Sequence, residues 1–184
     1  MPSRRVLPVL LAATVCVLPA TAQNAPKLPS PAALSYVPTL FRFSPDGKIK
    51  RLGTVYIVRT TGLIGQPATY GVVPTNTVLA GQVQPLTGFA ARFGAIQANK
   101  LTPGDHLYLH DVAAAKGAVL FTFVAERKVP ARAFDYITTS RIVFQVRFPM
   151  SPDQIAALSP ESLHRITDGV FAPEPPSLTP AHSE

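Results

Sequence analysis

The sequence is poor in cysteine, tryptophan and charge, and these shortages exclude several classes of protein. Its 184 residues include one Cys, no Trp and only 15% Asp, Glu, Lys and Arg. An average domain carries about 25% charged residues, so a long charged coiled coil is excluded. The chain also has 20 Pro, about twice the usual share, which disfavours long helices and a helical bundle. The length fits one domain with a sizeable core.

The first 22 residues predict a secretory signal peptide. A basic start at residues 3–5 precedes an apolar stretch at 6–20, and the small residues at 20–22 suit a signal peptidase. We therefore expect cleavage near Ala22–Gln23 and a periplasmic or secreted mature chain. An uncleaved anchor is the weaker alternative, because the apolar stretch is shorter than the roughly 20 residues of a spanning helix. The two adjacent arginines leave a twin-arginine signal as a second alternative.

The single cysteine, Cys16, lies inside this predicted signal peptide. Val15 precedes it rather than a small residue, so we do not expect a lipid anchor. Cleavage after Ala22 removes the thiol, which excludes disulfides, thiolate metal sites and cysteine nucleophiles from the mature chain. The stability of the mature protein must then come from packing of its core.

Proline marks both ends of the predicted folded body. Residues 23–38 are rich in Pro and Ala and show no hydrophobic period, which predicts a Pro/Ala-rich linker. Residues 172–184 contain four more prolines, which predict a disordered Pro-rich tail. We expect a single β-rich domain between them, at residues 39–171.

Alternating side chains and turn residues predict the strands of this domain. They cover residues 40–43, 48–50, 53–60, 106–112, 118–125 and 142–148. Ser-Pro-Asp-Gly at 44–47 and Ala-Lys-Gly at 115–117 predict the turns of two hairpins. The strand at 142–148 is the clearest, because its even-numbered residues are all apolar and therefore form one core face.

Only the end of the body has the signals of a helix. Ser151-Pro152-Asp153-Gln154 has an N-cap residue, a proline at the first helical position and a glutamine that can reach back. The same signals begin again at Ser159, and Leu163, Ile166 and Val170 follow at helical spacing. The predicted fold is therefore mostly β, a small barrel or curled antiparallel sheet with a short C-terminal helix.

The order of these segments resembles a group of small exported bacterial β-rich proteins of uncharacterised function. The resemblance rests on Gly53–Val58, then Leu101–Leu109, then a hairpin, the alternating strand and a terminal helix that ends in Val170–Phe171. It covers about residues 53–171 and implies no activity. The short meander is also similar to SH3-like or OB-like barrels, which is an analogy of fold alone.

The candidates for catalysis or metal binding are Asp105, His106, His110 and Asp111. On a strand the two histidines lie on one face but about 13 Å apart, too far to share one tetrahedral ion. A solvent-facing strand edge is therefore the main interpretation. The alternative is a small hydrolase or metal-assisted enzyme that uses all four residues, with His106 and His110 as metal ligands. No nucleophile elbow, phosphate-binding glycine loop or zincin motif supports it, and no cofactor is expected.

The residues between Arg59 and Arg92 carry no charge and are interrupted by glycine and proline. Three interpretations stay open: a meander of short buried strands, a long loop wrapped on the body, or a docking face for a protein or a glycan. The side chains predicted to bind a ligand or partner on that face are Tyr70, Asn76, Gln82 and Gln84. Uncharged polar groups around apolar ones are ordinary at interfaces.

Taken together, the sequence predicts an exported, noncatalytic binding or scaffolding module of the cell envelope. The expected partner is an envelope protein or polysaccharide. The basic groups at residues 48–51 and at Arg127, Lys128 and Arg132 are too short to predict nucleic-acid binding, and an anionic surface such as phospholipid headgroups suits them better. We do not expect an integral membrane protein.

Overall fold

Most strands of the described chain belong to one sheet. A computed structural model describes residues 27–42, 48–85, 99–133 and 135–174. The predicted signal peptide, the turn at 44–47 and residues 175–184 of the predicted tail lie outside the described residues. Strands β1 to β11 cover Leu40–Phe41, Ile49–Arg51, Val55–Val58, Ile64–Pro67, Thr75–Leu79, Gln82–Val83, Asn99–Lys100, His106–Ala115, Ala118–Ala133, Tyr136–Pro149 and Phe171–Pro173. Helices α1 and α2 cover Pro152–Ala156 and Pro160–Thr167, and a 3₁₀ turn covers Ala68–Tyr70.

The main sheet has the strand order β11-β3-β8-β9-β10-β4-β7, and β5 adds to the free part of β10 with β6 beside it. Strands β1 and β2 form a separate hairpin. The predicted class is confirmed, since the described chain is mostly β with a short C-terminal helical region. One pairing departs from the antiparallel expectation, because β5 runs parallel to β10.

The long hairpin β9–β10 forms the centre of the core. The predicted core face of β10 is confirmed, with Ile142, Phe144, Val146 and Phe148 at most 4% exposed. Aromatic rings from neighbouring strands meet this face, and the ring centroids of Phe123 and Phe171 lie 4.6 Å apart in an edge-to-face contact. Such pairs add about 0.5–1.5 kcal/mol to the stabilisation from buried area.

Two irregularities interrupt the sheet and decide where polar side chains lie. The β8–β9 register shifts between Leu109 and Asp111, so His110 is an extra residue on β8. The β9–β10 register shifts between Arg141 and Val143, and the extra residues are on β9. A bulge of this kind redirects side chains locally and increases the twist of a strand.

The N-terminal segment packs into the core, which corrects the predicted linker at 23–38. Within the described part of that range, Leu34 is 2% exposed and Tyr36 is 6% exposed, and both belong to the main apolar cluster. The segment is held close to Gly53, where a Cβ atom would collide with the backbone of Val37 and Pro38. The folded body therefore begins before residue 39.

The C-terminal boundary also moves. Both predicted helix starts are confirmed, and each carries a capping box, at Ser151 and at Ser159. The chain then forms β11, which pairs with β3 through Pro173, and the Glu174 N–H donates to the Val55 carbonyl at 2.9 Å. The tail predicted to begin at residue 172 therefore starts with ordered sheet residues.

Candidate binding groove

The parallel pairing of β5 with β10 ends abruptly, and a groove opens at that point. The Gln145 N–H donates to the Pro74 carbonyl at 2.8 Å. In a parallel ladder the donors of one strand recur at every second residue, so Arg147 and then residue 149 come next. Pro149 has no N–H, so the ladder ends at the pair of Arg147 with Thr77.

The groove has a volume of about 700 Å³ and lies between the β5–β6 hairpin, the end of β10 and the two helices. Its apolar lining comes from Val78, Leu79, Phe148, Pro149, Met150, Ala157 and Ile166. Gln154 and Ser162 add polar groups, and Arg165 is the one charged side chain among the lining residues. The groove is thus a largely uncharged surface with a single cation.

The hairpin turn that forms one wall is held in an unusual backbone conformation. Ala80 and Gly81 both have positive φ, at 50° and 75°. Two consecutive residues of this kind are typical of the tight hairpin turn whose twist matches the flanking strands. The turn lies against the end of α2, since a Cβ on Gly169 would meet the Gly81 Cα at 3.6 Å. Leu79 beside the turn is 48% exposed.

Arg165 lies in the last turn of α2, where a cation complements the partial negative charge of the helix end. Its side chain makes no ion pair with a described residue. Two acids lie nearby in sequence: Glu161, one turn earlier on α2, is not within ion-pair distance of it, and the Asp168 carboxylate lies 3.3 Å from the Arg59 guanidinium. The guanidinium of Arg165 is therefore available to an anionic group in the groove.

The structure separates the four residues predicted as a docking face. Asn76 is 1% exposed, and its amide accepts from the Ile64 N–H at 3.0 Å and donates to the Ile64 and Gln145 carbonyls. Asn76 is therefore a structural clamp and is not accessible to a partner. The Tyr70 hydroxyl accepts from the Arg132 N–H at 3.4 Å. Of the four, Gln82 is exposed and Gln84 is half-buried, both on the hairpin that borders the groove.

His106 lies in a surface cluster with two carboxylates. Its Nδ1 is 3.4 Å from Glu126 and 4.0 Å from Glu174. Glu126 also accepts from the Tyr108 hydroxyl at 2.9 Å. Burial, together with this hydrogen bond, raises the pKa of Tyr108 to about 12, so the hydroxyl stays protonated and acts as a donor near neutral pH.

Asp105 belongs to a turn, as its position after Pro103-Gly104 predicts. Its carboxylate accepts from the Thr102 N–H at 2.9 Å and lies 3.4 Å from the Arg127 guanidinium. These partners satisfy the carboxylate locally.

His110 and Asp111 line a different concavity, of about 310 Å³, together with Val73, Thr122 and Gln145. The Nδ1 atom of His110 is 2.9 Å from the Thr39 carbonyl oxygen. Because the bulge at His110 redirects this side chain, the two histidines take separate partners and share no concave site. In the described ranges, no group of three His, Cys, Asp or Glu side chains is placed to hold a metal ion.

Sequence reasoning missed Arg165 and Glu126. Arg165 lies between Leu163 and Ile166 of the predicted apolar stripe, and only the packing of α2 beside the β5–β6 hairpin brings it into the groove. The bulge at His110 shifts the β8–β9 register by one residue, so that Glu126 rather than Arg127 lies opposite His106, and no alternation pattern indicates such a shift.

Comparison with known proteins gives no match: no protein-family model, no curated protein and no solved structure matches the chain. The resemblance to small exported bacterial proteins therefore stays a prediction. Among the described helices, none has the length and apolar character needed to cross a membrane.

Proposed function

We propose that this protein is an exported, noncatalytic binding module whose groove holds an extended apolar peptide segment with a carboxylate beside Arg165. The observation that carries the proposal is the groove itself, an apolar surface with one cation that no described residue neutralises. Its volume lies in the range of about 300–1,000 Å³ that is common for ligand sites.

The chemistry of the groove favours a peptide with this combination of groups. Leu79, Ile166 and Met150 offer apolar contacts, and Gln154 offers its side-chain NH₂ group. The Ser162 hydroxyl and the Gln154 side-chain oxygen are held by the capping boxes at Ser159 and Ser151. Desolvating a lone guanidinium is costly unless an anion pairs with it, and a carboxylate can form two parallel hydrogen bonds with it. A purely apolar ligand would leave that cost uncompensated.

The hydrolase alternative gains no specific support. It needs His106 and His110 to converge on one pocket, whereas they take separate partners at Glu126 and Thr39. Asp105 and Asp111 are divided in the same way between a turn and the smaller concavity.

The test uses fluorescent heptapeptides of Leu, Val and Ser, made with either a free or an amidated C-terminal carboxylate, and measures their affinity by anisotropy. We expect the free carboxylate to bind about three- to tenfold more tightly than the amide. In Arg165→Ala this ratio should fall to one. Leu79→Glu should weaken both peptides, because it places a second charge in the groove.

The matched control is Lys116→Ala, which removes a cation from the exposed β8–β9 turn, outside the groove. It should bind both peptides as the unchanged protein does, and circular dichroism should show native folding for every variant. No binding of either peptide, or a carboxylate preference that persists in Arg165→Ala, would contradict the proposal.

A further inference from the structure

The β9–β10 hairpin continues past the rest of the sheet as a two-stranded arm, Lys128–Ala133 with Tyr136–Arg141. Strand β8 pairs with β9 only as far as Ala125, and β4 pairs with β10 only at Ile142 and Val143. No described strand pairs with the arm itself. From Tyr136 to Arg141 it extends by about 16 Å at an ordinary rise per residue.

The two faces of the arm differ sharply. On one face Val129, Ala131 and Ser140 are at most 8% exposed, and the Thr69 N–H donates to the Ser140 hydroxyl at 3.3 Å. The other face, called here the outer face, consists of the cross-strand pairs Arg132–Ile137, Pro130–Thr139 and Lys128–Arg141. The arm is therefore amphipathic across its thickness, with cations on the outer face.

The tip of the arm is apolar and open. Ile137 is 82% exposed and Tyr136 is 54% exposed, and these are large values for such side chains. Ile137 pairs with Arg132 on the outer face, whereas Tyr136 pairs with Ala133 and lies on the other face. Singly exposed apolar residues are common on protein surfaces, but an isoleucine this exposed beside a cation suggests that the outer face contacts another surface.

The three cations of the outer face differ in their contacts with the described residues. Lys128 and Arg132 are exposed and form no ion pair with a described residue. Arg141 is engaged, since its guanidinium donates to the Glu126 carbonyl and lies 5.7 Å from the centre of the Tyr108 ring. Asp135 is the acid in the turn of the arm. The outer face thus keeps two free cations behind an apolar end.

We propose that the outer face of the arm docks the protein on an anionic phospholipid bilayer, with Ile137 in the headgroup region. An isoleucine side chain gains from burial at the boundary between headgroups and acyl chains. Lys128 and Arg132 would meet lipid phosphates, and one such cation strengthens binding about fivefold. This inference is independent of the groove.

The apolar tip favours a bilayer over another polyanion. An acidic polysaccharide or a nucleic acid would attract Lys128 and Arg132 equally, but it offers no apolar interior for Ile137. Dependence of binding on both the cations and Ile137 therefore distinguishes a bilayer from the other partners.

The experiment uses the mature protein, purified after processing in its host. It measures cosedimentation of this protein with vesicles of phosphatidylcholine alone or of phosphatidylcholine with 30% phosphatidylglycerol. We expect binding only to the anionic vesicles. The double variant Lys128→Gln with Arg132→Gln should weaken it at least tenfold, and Ile137→Ser should weaken it several-fold. The matched controls are Lys116→Gln and Leu52→Ser, which change an exposed cation and a 59% exposed leucine elsewhere and should bind normally.

Three results would overturn the proposal. One is equal binding to neutral and anionic vesicles, or to neither. Another is a loss in the double variant with no loss in Ile137→Ser, which identifies a soluble polyanion as the partner. The third is a dimer in sedimentation velocity without lipid that Ile137→Ser dissociates, because a second copy of the chain would then cover the face.

Discussion

At the scale of single residues, the buried amide of Asn76 connects two neighbouring strands. It satisfies both backbone groups of Ile64 and a carbonyl of β10, and so joins β4 to the centre of the sheet. Leaving buried backbone groups without partners costs about 1–3 kcal/mol each.

We therefore expect Asn76→Ala to lower the free energy of unfolding by about 2–4 kcal/mol, since it leaves the N–H and C=O of Ile64 without partners. Urea denaturation followed by circular dichroism measures this change. The control, Gln82→Ala, removes an exposed amide from the β5–β6 hairpin and should change stability by less than about 0.5 kcal/mol. Equal effects of the two substitutions would mean that the hydrogen bonds of the Asn76 amide do not stabilise the fold.

Tyr108 links stability to pH on the alkaline side. Its pKa rises from an ordinary value of 10.0 to about 12 in the folded chain. Between these values the unfolded chain has lost the phenolic proton and the folded chain has kept it. Because the folded state then binds more protons, the free energy of unfolding falls as pH rises through this interval.

Below pH 10 the contribution of Tyr108 to the free energy of unfolding should not change with pH. From pH 10 towards pH 12 this contribution should decline. Tyr108→Phe should make the decline shallower, and Tyr56, whose pKa burial also raises to about 12, should keep part of it. Urea titrations at several alkaline pH values measure the slope. An unchanged slope in Tyr108→Phe would show that its hydroxyl is not protected in the folded state.

At the scale of elements, the N-terminal segment behaves as part of the body. Leu34 is 2% exposed within the main apolar cluster, although Pro and Ala surround it in sequence. We expect Leu34→Ala to lower the free energy of unfolding by about 2–5 kcal/mol, as large-to-small core changes do. Val37→Ala, at a side chain that is 52% exposed, is the control and should be nearly neutral. Thermal and urea unfolding of both variants measure these changes. If the segment were a linker, neither substitution would alter the free energy of unfolding.

Elements with strong local signals could be predicted from the sequence. The alternation in β10 and the capping serines of α1 and α2 are local, and the structure confirms them. The β8–β9 hairpin is also correct, though both strands run longer than the pattern suggests. The parallel β5–β10 pair could not be predicted, because it joins residues 75–77 to 145–147 and no local pattern records such a distant contact.

The candidate groove depends on features that are weak in sequence. The missing N–H of Pro149 matters only once β5 lies beside β10, and Arg165 matters only once α2 lies beside the β5–β6 hairpin. The predicted docking stretch did contribute Leu79 and the turn to one wall. Its prediction of Asn76 was wrong because polarity alone does not separate an accessible amide from a buried one.

At the scale of the whole molecule, the groove and the arm offer two surfaces of different chemistry. The groove is lined by uncharged residues around Arg165, and the arm combines free cations with an apolar tip. With a formal net charge of +7, the chain should approach anionic surfaces readily at low salt.

Since no residue is shared between the two surfaces, we expect them to act independently. Arg165→Ala should leave vesicle cosedimentation unchanged, and the double change of Lys128 and Arg132 to Gln should leave peptide affinity unchanged. Raising the salt concentration from about 0.1 M to 1 M shortens the screening length from about 10 Å to 3 Å and should release the protein from the vesicles. Loss of peptide affinity in the arm variant would instead show that the two surfaces form one site.

Pro130 gives the arm a protection against fibre formation. The Arg132 N–H donates to Tyr70, so it points away from β10, and the position two residues earlier faces the same way. Proline there removes a donor from the open edge of β9, and Tyr70 occupies the next one. A projecting hairpin with bare edges would template the stacking of identical chains, as in amyloid. Two successive outward donors on the β9 edge of the arm are thus unavailable to an added strand, which should disfavour the pairing of identical chains along that edge.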